Sequence, residues 1–346
     1  MFLYEDRPSE HGRIDHHSGV GMSTERRTSL WFFVSATALA ISCLLAVMYG
    51  ASPVSLADLV TSPDARLVIF ELRLPRVLFA VLVGGALASV GAVYQTLFRN
   101  PLASPFTLGV SSGAALGASL SLMATSSPFG VASSAMLGAL TSIMLIMTIS
   151  RRLGEGAGDS LLLVGVVFSF LCSSILTMLQ YISDYSQLFR VTRWMMGGIP
   201  AVSSVDLAVG SVLVAAFLSY VLKQHRELDL VLFGDDVAST KGVAVSPLYY
   251  TIFILSSLIV GWVVAQCGVI GFVGIVVPAC ARLLIGLRHK VVIPLSFLLG
   301  SILVVICDLL GRIVRPPFEV PAGVFTAIVG GPVFILLVVV GYRRFR

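Results

Sequence analysis

Apolar runs long enough to cross a membrane recur along the whole chain, at 30–49, 77–98, 106–123, 130–149, 160–182, 205–222, 248–266, 270–287, 291–311 and 322–342. A helix needs about 20 mainly apolar residues to cross a hydrocarbon core of roughly 30 Å. The pattern therefore predicts about ten membrane-spanning helices and an all-α fold. Two of the runs, 106–123 and 270–287, are glycine-rich, and the second contains Pro278. Such interruptions survive at membrane depth only when buried in protein or lining a water-filled path, so both segments are expected in one of those places. Residues 1–28 are polar, hold His11, His16 and His17, and show no hydrophobic period. They are expected to form a disordered cytoplasmic tail, with Met22 as a second candidate start. The first apolar run is long enough to remain as a span rather than be removed as a leader. Residues 29–346 then make a single membrane domain.

Composition sharpens this picture. Of 346 residues, 57% are hydrophobic and 12% charged, and the mean hydropathy is +0.96. Soluble domains carry about 25% charged residues, so an ordinary soluble domain is excluded. A net charge of +5 would suggest nucleic acid in a soluble protein. Here the basic residues stand between apolar runs without interleaved aromatics, and topology explains them better. With the N-terminus in the cytoplasm, 16 of the 23 lysines and arginines fall on the cytoplasmic side. The other seven are Arg66, Arg73, Arg76, Arg190, Arg193, Arg312 and Arg315. This bias puts both termini inside. Cys43, Cys172, Cys267, Cys280 and Cys307 all lie within apolar runs without CxxC spacing and read as small core residues.

Candidate chemistry is sparse. Gly109, Gly113 and Gly117 stand four apart, which clears one helical stripe for near backbone contact with a neighbour. Arg73 and Arg76 sit three apart at the mouth of the second span, and Arg312 follows Asp308 by one turn, close enough to pair. The stretch 224–246 is the longest loop expected in the cytoplasm, and Asp235-Asp236 at a helix start suits a short interfacial helix. Met195 and Met196 read as interface packing rather than as haem ligands. Inside the spans Asp308 is the sole plausible acidic group, whereas ion-driven carriers keep ionisable residues near the midplane. No G-x-x-x-x-G-K-[ST] nucleotide loop occurs, and no catalytic or metal-ligating constellation is evident. Energy for any transport must come from another polypeptide.

Four motifs in order carry a resemblance. They are Arg73-Leu74-Pro75-Arg76, Gly91-Ala92-Val93-Tyr94-Gln95, Arg99-Asn100-Pro101-Leu102-Ala103-x-Pro105 and Leu108-Gly109-Val110-Ser111-x-Gly113-Ala114. Together they resemble the FecCD-type permeases of ATP-binding-cassette (ABC) importers, which carry ferric siderophores, haem and cobalamin across bacterial inner membranes. The resemblance implies the type II importer architecture and a homodimer, or a pair with a close paralogue. It also implies two cytoplasmic ATPase subunits and a periplasmic binding protein. ATP and Mg²⁺ would be bound on the ATPase, with no cofactor on this chain and no nucleic-acid partner. By the same resemblance Arg73, Arg76 and Arg312 would face acidic residues of the binding protein. Gly234, Asp235, Asp236, Ala238 and Gly242 would match the helices that dock on the ATPase, with Lys241 departing from the usual leucine. The run Gly268 to Pro278, which holds Gly271, Gly274 and Pro278, resembles a Gly-x-Ile-x-Phe-x-Gly-x-x-x-Pro-His run, in which Ala279 stands here for the histidine. Those three, with Gly91, Gln95, Asn100, Pro101, Gly109, Gly113 and Gly117, are the expected packing or path residues. An iron chelate is the expected cargo, with a corrinoid as the alternative. An ion-coupled carrier is the reading from a different class.

Overall fold

The computed structural model describes residues 24–50, 63–124, 127–153, 157–316 and 318–344. Among the described residues every regular element is helical. In order they are α1 (Thr24–Met48), α2 (Leu74–Leu97), α3 (Val110–Ala124), α4 (Pro128–Leu153), α5 (Ala157–Ile182), α6 (Tyr185–Met195) and α7 (Ser204–Lys223). There follow α8 (His225–Val231), α9 (Asp235–Thr240), α10 (Val245–Cys267), α11 (Val273–Ile285), α12 (His289–Ile313) and α13 (Ala322–Arg344). A short helix, Pro63–Leu67, and a π-helical stretch, Val68–Arg73, run straight into α2. Pro75 occupies its first turn, where a missing N–H costs nothing.

A helix stands at each of the ten expected positions, as α1 to α5, α7 and α10 to α13. Seven are long and apolar enough to span, and Val110–Ala124, Val273–Ile285 and Ala322–Leu337 are shorter apolar helices. The expected tail lies outside the described residues as far as residue 23, with Met22 and its three histidines. Residues 24–28 already belong to α1, ahead of the expected boundary at 29. All five cysteines are free thiols.

The helix running Val68–Leu97 is the axis of the molecule, with 83% of its apolar window buried against 17% for the first helix and 22% for Leu161–Ile182. Along its length α2 packs on α12 and α11, while α3 pairs with α4, and α10 joins that pair to α7. Lipid offers no hydrophobic force to press helices together, so close van der Waals fit has to do it. Glycine supplies the fit. A methyl group at Gly84 would overlap the carbonyl of Gly300 on α12, and one at Gly91 the carbonyl of Gly274 on α11. The two interrupted segments are both packed between helices, α3 against α4, α5 and α10, and α11 against α2, α12 and α13.

The bundle has two distinct ends. Arg76 at the start of α2 meets Asp308 near the end of α12, and Thr96 at the end of α2 meets His289 at the start of α12. The last carbonyls of α1 accept from Arg73, and the N–H of Gly323 in α13 donates to Gly197 beside α6. The described chain therefore begins and finishes at the end that carries α8 and α9. That end is called the loop end below, and the other the arginine end.

Candidate functional site

At the arginine end, Arg73, Arg76 and Arg312 line one hollow of about 240 Å³ together with Glu319. Arg76 Nε and Nη2 donate to Asp308 Oδ1 at 3.2 and 2.9 Å. Its Nη1 and Nη2 donate to the two carboxylate oxygens of Glu319 at 3.1 and 2.9 Å. Arg312 Nε lies 3.1 Å from Asp308 Oδ2. Asp308 is only 3% exposed, and a carboxylate taken out of water that far is tolerable only when paired and hydrogen-bonded. Two guanidinium groups meet that requirement. Arg73 Nη1 donates to Val47 O at 3.1 Å and Met48 O at 2.9 Å, and Arg312 Nη1 reaches Tyr49 O at 3.4 Å. Arg73 and Arg312 are thus 7% and 4% exposed and hold the exit of α1, whereas the Arg76 side chain keeps 17% of its surface.

Beside this cluster lies a cavity of about 450 Å³, lined among others by Arg76, Arg190, Arg193, Trp194, Gln266 and Glu319. Arg190, Arg193 and Trp194 come from α6, which the apolar pattern did not predict. Its eleven residues are amphipathic and too few to span. The available signal was the pair Asp184 and Gln187, which forms a reciprocal capping box at its start. Hydrogen bonds from the Gln187 N–H and the Ser186 hydroxyl hold the Asp184 carboxyl below the usual carboxylate range. Gln187 Nε2 and Arg190 Nη2 also donate to Met123 O at 3.1 Å and Leu122 O at 3.2 Å, fastening α6 to the end of α3.

At the loop end, 224–246 folds into α8 and α9 rather than one helix. Gly234 separates them with φ +120° and Gly242 closes α9 with φ +86°, both in the region that side chains disfavour. Asp235 and Asp236 occupy the first turn of α9, where the helix dipole favours negative charge. Ala238 is fully buried, while Phe233 and Val237 are 76% and 43% exposed. The Tyr249 hydroxyl lies 2.7 Å from Leu97 O and 3.1 Å from Asp235 Oδ1, bridging α2 and α9. Lys241 and Gly242 line a hollow of about 310 Å³ with Arg226 and Glu227.

The expected packing residues divide by role. Gly113 and Gly117 face Gly138, Ser142 and Ser134 of α4, and Gly91 meets Gly274. Gly109 instead sits in a turn with φ +79°, against Gly165 and Phe168 of α5. Gly271 has no neighbour where a side chain would start. Asn100 Oδ1 accepts from the Leu102 N–H at 2.9 Å and shapes the turn that Pro101 opens. Gln95 Nε2 donates to Pro101 O and to Ile275 O, both at 2.9 Å, and its Oε1 accepts from Arg282. Pro278 is buried inside α11. No sequence pattern assigns a role to Glu319, Arg282, His289 or Asp229.

The sequence matches the model of the FecCD transport family over residues 38–340. It is 39% identical to the hemin transport system permease protein of Yersinia pestis, over 78% of this chain and 82% of that protein. It is 36% identical to the vitamin B12 import system permease protein of Vibrio cholerae, over 86% of this chain and 90% of that one. The fold superposes on a solved inward-facing metal-chelate type ABC transporter with TM-score 0.82 at 31% identity, covering 90% of this chain and 98% of the other.

Proposed function

The chain belongs to the FecCD transport family and is a multi-pass permease subunit of an ABC importer, and we propose that its cargo is an anionic iron chelate, a ferric siderophore or haem. In this family ATP hydrolysis lies on a separate subunit, and permeases work with an ATPase and a binding protein. The observation that carries the cargo reading is the cavity at the arginine end. Arg76 there is committed to Asp308 and Glu319, and Arg190 spends Nη2 on Leu122 O, which leaves Arg193 foremost to present positive charge to the space. Guanidinium groups suit carboxylates, and haem carries two. A neutral corrinoid, the second reading, makes no use of those charges; the similarity to the vitamin B12 permease favours it.

On this reading two copies enclose the path, in the bacterial inner membrane. The arginine end receives the periplasmic binding protein, and α8 and α9 dock on the cytoplasmic ATPase, with both termini on that side. The excess of lysine and arginine at the loop end supports this orientation. Exposed Phe233 and Val237 supply an apolar contact for the ATPase. Docking and nucleotide state each favour one arrangement of the same bistable dimer, so each partner biases the other. An ion-coupled mechanism would need a titratable group free inside the spans, and Asp308 is held by two arginines. The cargo reading is tested by uptake into proteoliposomes containing the whole importer. Hemin or a ferric carboxylate chelate is expected to enter, and Arg193→Ala to slow it. Entry of cyanocobalamin in place of either would overturn it.

A further inference from the structure

At the loop end a chain of hydrogen bonds runs from α8 through the start of α12 and the last turn of α2 to the last turn of α11. Asp229 on α8 accepts through Oδ1 from both the backbone N–H of His289, at 2.9 Å, and its ring Nδ1, at 2.6 Å. The opposite ring nitrogen, Nε2, lies 2.6 Å from the hydroxyl of Thr96 on α2. Arg282 on α11 donates from Nη2 to Thr96 Oγ1 at 3.3 Å and to Ala92 O at 2.8 Å. Its Nη1 reaches Gln95, whose own amide holds Pro101 O and Ile275 O. His289 and Thr96 are fully buried and Gln95 is 4% exposed.

Part of this arrangement has a plain structural use. Arg288, the residue before α12, offers no side-chain cap, and the Asp229 carboxylate satisfies the first N–H of that helix instead. A cap needs only the backbone contact, however. The ring contact continues past it to a third helix, and a buried imidazole bonded at both nitrogens fits no solely apolar packing role. A planar ring held on opposite edges has a fixed length. Displacing α8 by an ångström or so must either break a buried hydrogen bond, which is costly, or carry Thr96 and Arg282 along.

We infer that His289 is a positioning residue which, with Thr96 and Arg282, transmits movement of the α8–α9 segment to the crossing of α2 and α11. The inference rests on the reading of that segment as the ATPase-docking surface. It gives Arg282 a task in the segment where Ala279 replaces the family's histidine, and it makes Thr96 the joint that can be cut with least damage. Thr96→Val removes the hydroxyl and keeps the shape, while Thr96→Ser keeps the hydroxyl.

The test uses the complete importer, permease with ATPase and binding protein, in proteoliposomes. Three quantities are measured: cross-linking of a cysteine placed at Ser239 to the ATPase, basal ATP hydrolysis, and cargo moved per ATP. The expected result is an intact cross-link and unchanged basal hydrolysis in Thr96→Val, with transport per ATP reduced about tenfold, within the usual range of coupling between sites. Thr96→Ser is expected to restore it. A cross-link together with wild-type transport per ATP in Thr96→Val overturns the relay alone. Absence of the cross-link in the otherwise unaltered importer overturns both the relay and the docking reading beneath it.

Discussion

Asp308, near the end of α12, accepts a hydrogen bond of 2.9 Å from Arg76 at the start of α2, 232 residues earlier in the chain. The pair fixes the register of the two helices that pack most extensively, at the point where the chain enters from α1. Without Asp308, Arg76 keeps Glu319 but buried Arg312 is left charged without its carboxylate, and breaking a buried pair in this way costs about 3–5 kcal/mol. Asp308→Ala is therefore expected to lower the thermal stability of the detergent-solubilised protein sharply, read by the temperature at which buried Cys307 becomes reactive. Replacing Asp308 together with both of its guanidinium partners, Asp308→Leu with Arg76→Met and Arg312→Met, should recover part of that loss. If the triple variant is as unstable as the single one, these charges are not what holds this end.

The three arginines at this end should separate into two behaviours. Arg73 and Arg312 donate to the carbonyls that end α1, so Arg73→Glu should reduce the yield of folded protein before docking can be measured. Arg76→Gln removes the charge while Asp308 keeps Arg312 as its partner, so it is expected to destabilise the fold less than Asp308→Ala does. It is expected to slow association with the binding protein severalfold at low salt and to change dissociation little, because rim charges act mainly on encounter. Surface plasmon resonance at two ionic strengths gives both rates, and an effect confined to dissociation would contradict this assignment.

Glycines of similar appearance in the sequence should respond differently. Gly91→Ala places a methyl group on the carbonyl of Gly274, and overpacking of this kind typically costs about 1–3 kcal/mol. Gly271→Ala meets nothing within 4 Å and should be close to silent. Size-exclusion profiles and melting temperatures of the two variants decide this, and equal behaviour would show that the α2–α11 approach is not tight.

The contact between Asp229 and His289 predicts a pH response. Burial alone would raise the Asp229 carboxyl, but the two hydrogen bonds from His289 outweigh it and hold the group below the usual range. A carboxylate depressed in the folded state contributes fully above its unfolded value, near 3.9, and the contribution disappears as pH falls through the lower folded value. The docking of α8 should therefore be unchanged from about pH 8 to pH 5 and loosen only in stronger acid. Hydrogen exchange of the α8 amides follows this directly, and loosening between pH 7 and pH 5 would contradict it.

The ten helices were legible because each coincides with an apolar run in the sequence, and Arg312 with Asp308 because a pair one turn apart needs no tertiary information. Arg73 and Arg76 look equivalent in sequence, yet the π-helical Val68–Arg73 stretch lies immediately before α2 and the two side chains reach different partners. The 224–246 segment was readable as helical but not as two helices, since that depends on the φ of Gly234. Arg282 and Gln95, 187 residues apart, meet only through the crossing of α2 and α11. No local pattern reports that meeting, and the same holds for His289 with Thr96 and for Glu319 with Arg76.

The most direct test of the account is cargo uptake by proteoliposomes holding this chain alone, with the ATPase, and with the ATPase and the binding protein, each with and without internal ATP and with and without an ion gradient. Uptake is expected only when all three proteins and ATP are present, and to be indifferent to the gradient. Accumulation by the chain alone, driven by protons or sodium, would contradict it.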